Sequence, residues 1–317
     1  MTRDRTRRWF LKTGAAAGAS VGLASSVVNE LLAPSAAWAA EAPDLAAMTG
    51  SDPFANATAA VEKLGGMSRF VARGSRVAVN ANTSFKLPGS NVEPVVLLAV
   101  LSMCLDAGAK EVWLIKGGKP EYWARTPRSE ELKDVIEATK VSKSDFRVVE
   151  VPDGVALTEA HVDGLVLDCD HYLNVSTVKE HAGTGFTASL KNAMGACPHM
   201  PTNRFCHFGS APPQRDQFYA NVDHLSQSIA DLNLIRKPDL CVVDATQYLM
   251  TNGPAGPGEL RRSDTVVAGT DPVAIDAYST RFVDLTPARV TMIGMAEQHG
   301  VGTAKLEQLR IEEGKTA

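Results

Sequence analysis

Between Asn174 and His207 the chain gathers most of its chemically capable side chains into one short run. His181 and Lys191 are the candidates for catalysis, because an imidazole titrates near neutrality and a buried lysine becomes a nucleophile or base. Each has a plain alternative: Lys191 as a solvated helix lysine, His181 as a ring that hydrogen-bonds its own loop. Gly183-Thr184-Gly185-Phe186-Thr187 leads into a helix start. Unpaired N–H groups there suit a phosphate, which places Thr184, Gly185 and Thr187 in an expected cofactor-binding turn. Cys197, His199, Cys206 and His207 offer soft and borderline ligands to a metal such as nickel or iron. They can chelate one only if the loop folds back, and their spacing matches no standard zinc pattern. A Cys197–Cys206 disulfide is the competing use of that pair. No Cys-x-x-Cys occurs among the five cysteines, so an iron–sulfur cluster is not expected, and Cys104 and Cys241 read as core thiols. Beyond residue 39, Walker, Gly-x-Ser-x-Gly and His-Glu-x-x-His motifs are absent.

These residues need a scaffold. Arg76 to Asn82 reads as a strand, Thr83 to Asn91 as a polar loop, Val92 to Ala107 as an apolar helix stopped by Gly108, and Glu111 to Lys116 as a second strand. That order predicts a parallel β–α–β unit. Further on, Ser129 to Thr139 reads as a charged helix. Phe146 to Val151, Gly164 to Leu167 and Tyr172 to Val175 read as strands, and Thr187 to Met194 as a short helix. Gly195 to Arg215 is expected to be irregular. The second half predicts a helix over Asn221 to Ile235, a strand over Leu240 to Asp244, and a Gly/Pro-rich loop from Thr246 to Ser263. A strand at Val266 to Gly269 and a helix from Asp271-Pro272 follow, the aspartate as cap. Pro287 to His299 reads as the last helix. The fold class is three-layer α/β, a mostly parallel sheet with helices on both faces, in one body or two lobes. In such a sheet ligands bind beyond the strand carboxyl ends, where the Asn174–His207 run begins.

Several linked motifs resemble the family called domain of unknown function 362. They are Val77 to Asn82, Ala107-Gly108-Ala109-Lys110, Lys179-Glu180-His181, the Thr184–Thr187 element and Ser189-Leu190-Lys191-Asn192. Val243-Asp244-Ala245, Gly253-Pro254 and Ala268 to Ala277 continue the match, which spans roughly Ser75 to Gly302. The resemblance adds Lys179, Asn192 and Asn82 to the cofactor-binding set. His181, Lys191 and His207, spaced His-x9-Lys-x15-His, also resemble the active segment of nickel-pincer lactate racemases. That resemblance implies a nucleotide-type cofactor anchored on Lys191, nickel on His207 and proton exchange at His181. The chain departs from it at Ala188 and Ser189, where paired glycines are expected. It departs again at Gly117-Gly118-Lys119, where a second catalytic histidine would stand.

The amino terminus predicts where the protein works. Thr6-Arg7-Arg8-Trp9-Phe10-Leu11-Lys12 fits a twin-arginine export signal, a weakly apolar stretch follows from Thr13, and Ala37-Trp38-Ala39 predicts cleavage before Ala40. The stretch is broken by Asn29-Glu30 and poor in large apolar residues, so it is weak as a permanent membrane anchor. Residues 1–39 therefore read as signal peptide, 40–74 as a tether with one helix, and 75–317 as the α/β domain. The signal carries net +3, which leaves −7 of the total −4 on the rest, a surface unsuited to nucleic acid. The expected partners are the twin-arginine translocase and a small-molecule ligand or cofactor, in the periplasm. The expected function is redox or proton-transfer chemistry with a phosphate-bearing or metal cofactor. A non-enzymatic module that captures or delivers an anion or metal is the competing class.

Overall fold

β1 (Leu45–Thr49) lies inside the stretch expected to be a tether. The computed structural model describes residues 42–210 and 221–317. The twin-arginine motif and cleavage site fall outside the described residues. Glu41–Ala317 forms one compact unit rather than two lobes. Asp52 caps helix α1 (Pro53–Lys63) by accepting the Phe54 N–H at 2.9 Å, with Pro53 in the first turn. β2 (Arg76–Ala81), helix α2 (Pro94–Asp106) and β3 (Glu111–Leu114) form the expected parallel unit. α2 is apolar on every side because it is buried on every side: Val96 through Leu101 show no exposed surface.

The charged segment after β3 breaks into short helices, α3 (Pro120–Trp123), α4 (Arg128–Glu131) and α5 (Lys133–Ala138), before the edge strand β4 (Lys140–Val141). β5 (Phe146–Glu150) does not join the main sheet. It pairs antiparallel with β6 (Glu159–Asp163) in a sheet of its own. Gly164–Asp168 is helix α6, not the expected strand. The Asp163 carboxylate accepts the Leu165 N–H at 3.0 Å and starts a helical turn that short apolar periodicity cannot distinguish from a buried strand. β7 (His171–Thr177), α7 (Ser189–Asn192), α8 (Arg204–Phe208) and α9 (Val222–Ile235) follow. α8 lies within the stretch expected to be irregular. β8 (Leu240–Leu249) and β9 (Leu260–Gly269) form a long antiparallel hairpin, so most of the expected Thr246–Ser263 loop is strand. α10 (Pro272–Ser279), capped by Asp271, and α11 (Thr291–Gln298) lead to β10 (Ile311–Lys315), which was not expected.

Among the described residues the main sheet has eight strands in the order β10-β1-β9-β8-β7-β2-β3-β4. Every strand but β9 runs in the same sense. Side chains alternate between two apolar layers. Val77 and Val79 of β2 pack with α1 and α2, whereas Ala78 faces the layer containing α9, α10 and α11. This is the three-layer arrangement. Among the described residues, no helix is long and apolar enough to cross a membrane.

One topological feature matters for function. From β2 the chain moves to β3 and β4 on one side, then returns to place β7 and β8 on the other. The connections leaving β2 and β7 therefore diverge, and a crevice opens beyond their carboxyl ends.

Candidate functional site

A cleft of about 260 Å³ lies at that switch point. Asn82 just past β2, Lys116 just past β3 and Lys179 just past β7 line it, with Lys191 from α7. Three asparagines hold these ends together. The Asn192 amide donates to the Asn80 carbonyl at 2.9 Å and to Asn174 Oδ1 at 2.6 Å. Asn80 Nδ2 donates back to the Asn192 carbonyl at 2.8 Å, and Asn174 Nδ2 donates to the Ser189 carbonyl at 2.9 Å. The knot ties β2 and β7 to α7 and so fixes where Lys191 stands. Asn192 reaches the cleft wall, but its amide donors are engaged in this framework.

The amino end of α7 is closed by a residue from another helix. Asp276 of α10 is fully buried and accepts the N–H groups of Ser189 at 2.7 Å and Leu190 at 3.1 Å. Burial raises its pKa to about 8, against the pull of those two donors. The turn before α7 is closed in the same way. Gly183 N–H donates to His181 Nδ1 at 2.9 Å, Gly185 N–H to the His181 carbonyl at 2.6 Å, and Thr187 N–H to the Lys179 carbonyl at 2.9 Å. The expected phosphate cradle of backbone N–H groups is thus filled by the protein itself. Thr184 and Gly185 build the turn instead of lining the cleft. The Thr184 hydroxyl donates to the Phe186 carbonyl, and Gly185 adopts φ +71°, which only glycine takes up without strain.

What remains in the cleft is cationic. Lys179 is 1% exposed; its ammonium donates to the Ser90 carbonyl and sits 4.3 Å from the centre of the Phe85 ring. Burial, and then the charge on Lys191, pulls its pKa down to about 7. Lys191 is half-buried, its Nζ 3.6 Å from Met194 Sδ, and burial lowers its pKa to about 8. His181 is held neutral, far below the ordinary histidine range, by burial first and by Lys191, Lys179 and His207 after it. Because its Nδ1 accepts from Gly183, the neutral ring carries its proton on Nε2. His207 Nδ1 lies 2.7 Å from the Asn203 carbonyl, an arrangement in which Nδ1 donates and Nε2 keeps the lone pair; burial and Lys191 lower its pKa to about 4. Among the described residues, the wall holds Lys116, Lys179, Lys191, His181, His199 and His207 and no carboxylate. Thr187 also lines it, 5% exposed, with its buried hydroxyl lacking a hydrogen-bond partner among the described residues.

The expected four-residue metal set comes apart. His199 and His207 face the cleft, but Cys197 and Cys206 are buried apolar-cluster residues that do not line it. Burial pushes both thiols up, Cys206 to about 12, so neither offers the thiolate a metal requires. Among the described residues no group of three His, Cys, Asp or Glu side chains is placed to hold a metal ion, and all five cysteines are free thiols. Conversely, the sequence reading passed over Lys116 and Phe85, and it did not foresee that Asp276 closes α7. Lys116 was recoverable, since it follows a strand that neighbours the switch point; the role of Asp276 was not, because its partners lie 86 and 87 residues away. The far wall comes from the β8–β9 hairpin tip. Glu180 accepts the Gly253 N–H at 2.6 Å, and a Cβ on Gly253 would meet the Glu180 carbonyl oxygen at 1.8 Å, so this position admits only glycine. That contact brings Pro254 to the cleft.

A thylakoid-associated protein of Synechocystis is 25% identical to this chain over 253 residues, covering 78% of this chain and 75% of its own length. Among solved structures, the lactate racemase apoprotein of Thermoanaerobacterium thermosaccharolyticum aligns with a TM-score of 0.37 and 11% identity, over 62% of this chain. The chain spans about half of that racemase, 49% of its length. A crystal structure of a Thermotoga maritima protein aligns with a TM-score of 0.36 and 13% identity, over 78% of this chain and 60% of the other. Neither structural likeness is strong enough to assign a chemistry. The sequence match is of a different order: over residues 77–281 the chain fits, and therefore belongs to, the family described as Domain of unknown function (DUF362).

Proposed function

We propose that the cleft binds a small anionic ligand, phosphate-bearing in its natural form, and that Lys179 and Lys191 hold and exchange protons with it. The observation that carries this reading is the lining: three lysines and three histidines with no carboxylate among the described residues. Burial penalises the ammonium charge of Lys179 and Lys191, the charge on Lys191 adds to the penalty at Lys179, and the lowered pKa values of both express that cost. A bound anion removes the cost, and the unpartnered Thr187 hydroxyl supplies a neutral donor beside it. A lysine whose pKa falls near 7 or 8 also suits acid–base work at physiological pH. The protein would act after folded export through the twin-arginine route, in the periplasm.

The test is the ligand state of the exported protein. Purified from its own compartment, the wild-type chain should carry or bind a phosphate compound that Lys191→Ala loses; full retention by that variant would overturn the reading. A second reading, a nucleotide-type cofactor anchored on Lys191 with nickel on His207, is favoured by one observation, that Lys191 and His207 line the same cleft. Elemental analysis and intact mass separate the two. Nickel with a nucleotide-sized adduct on Lys191 supports the second, and an unmodified, metal-free chain that binds phosphate supports the first.

A further inference from the structure

Beside the cleft, at the ends of β3 and β4, lies a larger chamber of about 590 Å³. The two share Ser84, Phe85 and Lys116, so they are adjoining rooms along one edge of the sheet. The chamber is cationic as well. Lys86 and Lys119 stand exposed, Lys116 and Arg125 half-buried, against one exposed carboxylate, Glu121. Arg125 is already held, donating to Glu93 at 2.8 Å and to Asn91 at 2.5 Å. Among the described residues Lys86, Lys116 and Lys119 have no ion-pair partner.

Two rings complete the chamber. Tyr122 is locked by its hydroxyl donating to the Val92 carbonyl at 2.9 Å, with the Arg125 guanidinium 5.8 Å from its ring centre. Phe85 forms part of both chambers and carries the Lys179 ammonium against its ring. A volume of this size is far more than a phosphate needs and is typical of sites for ring-bearing ligands. Fixed aromatic walls with surrounding cations match the face and the charge of a flat ring joined to a phosphate.

We infer that the chamber lined by Phe85, Lys86, Lys116, Lys119 and Tyr122 is a second subsite, which takes the ring-bearing part of a phosphorylated, nucleotide-like ligand whose anionic group enters the Lys179–Lys191 cleft. This rests on the anion-binding reading of the cleft and adds to it the size and shape of the ligand. Lys116, present in both walls, faces the junction of the two parts.

The experiment titrates the mature chain with adenosine monophosphate and, separately, with inorganic phosphate, by calorimetry. The expected result is that the nucleotide binds at least about tenfold more tightly than phosphate, since it fills both rooms. The double variant Lys86→Glu/Lys119→Glu changes only exposed side chains. It should weaken the nucleotide about tenfold while altering phosphate affinity by no more than about twofold at physiological ionic strength. Lys191→Ala should weaken both probes. Equal affinity for the two probes, or a double variant that weakens them in parallel or not at all, overturns the subsite while leaving the cleft reading intact. A chain that binds the nucleotide but not phosphate, with the nucleotide insensitive to Lys191→Ala and sensitive to the double variant, overturns the cleft reading and retains the chamber. Binding of neither probe overturns both.

Discussion

Raising the pH should release an anion from this protein well before ordinary lysines lose their charge. Lys179 and Lys191 face the cleft with pKa values lowered to about 7 and about 8. At pH 6 both are cationic. At pH 9 about one Lys179 in a hundred and about one Lys191 in ten still carry the proton. If the anion needs both charges, affinity falls by about three orders of magnitude between those limits, and by about two if it needs Lys179 alone. Sulfate is the right probe, because it stays dianionic across the range and adds no titration of its own. At pH 8 each sulfate bound should draw in about 1.4 protons, and at pH 6 almost none, which calorimetry in buffers of different ionisation enthalpy reads directly. Lys179→Met should weaken binding at pH 6 and leave only the shallower dependence of Lys191. Repeating the series with His199→Ala separates the exposed imidazole from the lysines. A sulfate affinity that changes less than about threefold from pH 6 to pH 9 would refute the reasoning, because the lysines would then be either ordinary or remote from the anion.

The same ionisation governs stability without ligand. Below about pH 7 Lys179 is protonated in both folded and unfolded chains, and burying the ammonium costs folding energy. As the pH climbs from about 7 towards the ordinary lysine value of 10.5, the folded state sheds the proton first, so stability should rise. The gain is at most roughly 5 kcal/mol, and urea denaturation of Lys179→Met should show a flatter profile. Asp276→Ala leaves the Ser189 and Leu190 N–H groups buried and unpaired, which should cost about 2–4 kcal/mol by urea denaturation; a loss below about 0.5 kcal/mol would show that α7 does not depend on this cap. At Gly185, φ is +71° and the space around a Cβ is open, so Gly185→Val should cost about 1–2 kcal/mol and Gly185→Asn much less, a contrast that thermal unfolding detects. Replacing Arg7 and Arg8 by lysine should leave the precursor in the cytoplasm, scored by cell fractionation and immunoblotting; unchanged export would refute the twin-arginine assignment.

How much of this was legible in the sequence depended on how local each signal is. The β2–α2–β3 unit was readable because Pro94 and Gly108 bracket a run that only Ser102 and Asp106 interrupt as polar residues, between two strands. β1 was not, because Leu-Ala-Ala-Met-Thr has neither alternation nor β-branched bulk before its final Thr49, and becomes a strand only through burial between β9 and β10. β10, with Glu312 and Glu313 in its middle, is an edge strand whose partner lies at the opposite end of the chain. At the site, the Lys179–His207 run that the residue types singled out supplies most of the cleft lining. The direction of each polar group did not follow from them. The Gly183–Thr187 turn has the composition of a phosphate loop, yet its donors close on His181 and Lys179, and Asp276 closes the helix behind it.

That reassignment bears on how a metal could ever enter. A divalent cation approaching a cleft of three lysines and no described carboxylate meets repulsion on every side, and neutral His207 supplies no charge to offset it. The two buried thiols cannot compensate while burial keeps them protonated. An anion meets the opposite field. Once a phosphate-bearing group lies against Lys179 and Lys191, it neutralises the ammonium charges and brings oxygen ligands of its own into a cleft that His207 also lines. The order of binding is therefore set by the charges of the wall: a metal would arrive on or after its anionic carrier. Metal added alone should bind weakly, and prior loading with a phosphate compound should strengthen it. Tight binding of nickel to the ligand-free chain in a chelator competition would break this chain of reasoning at its first step.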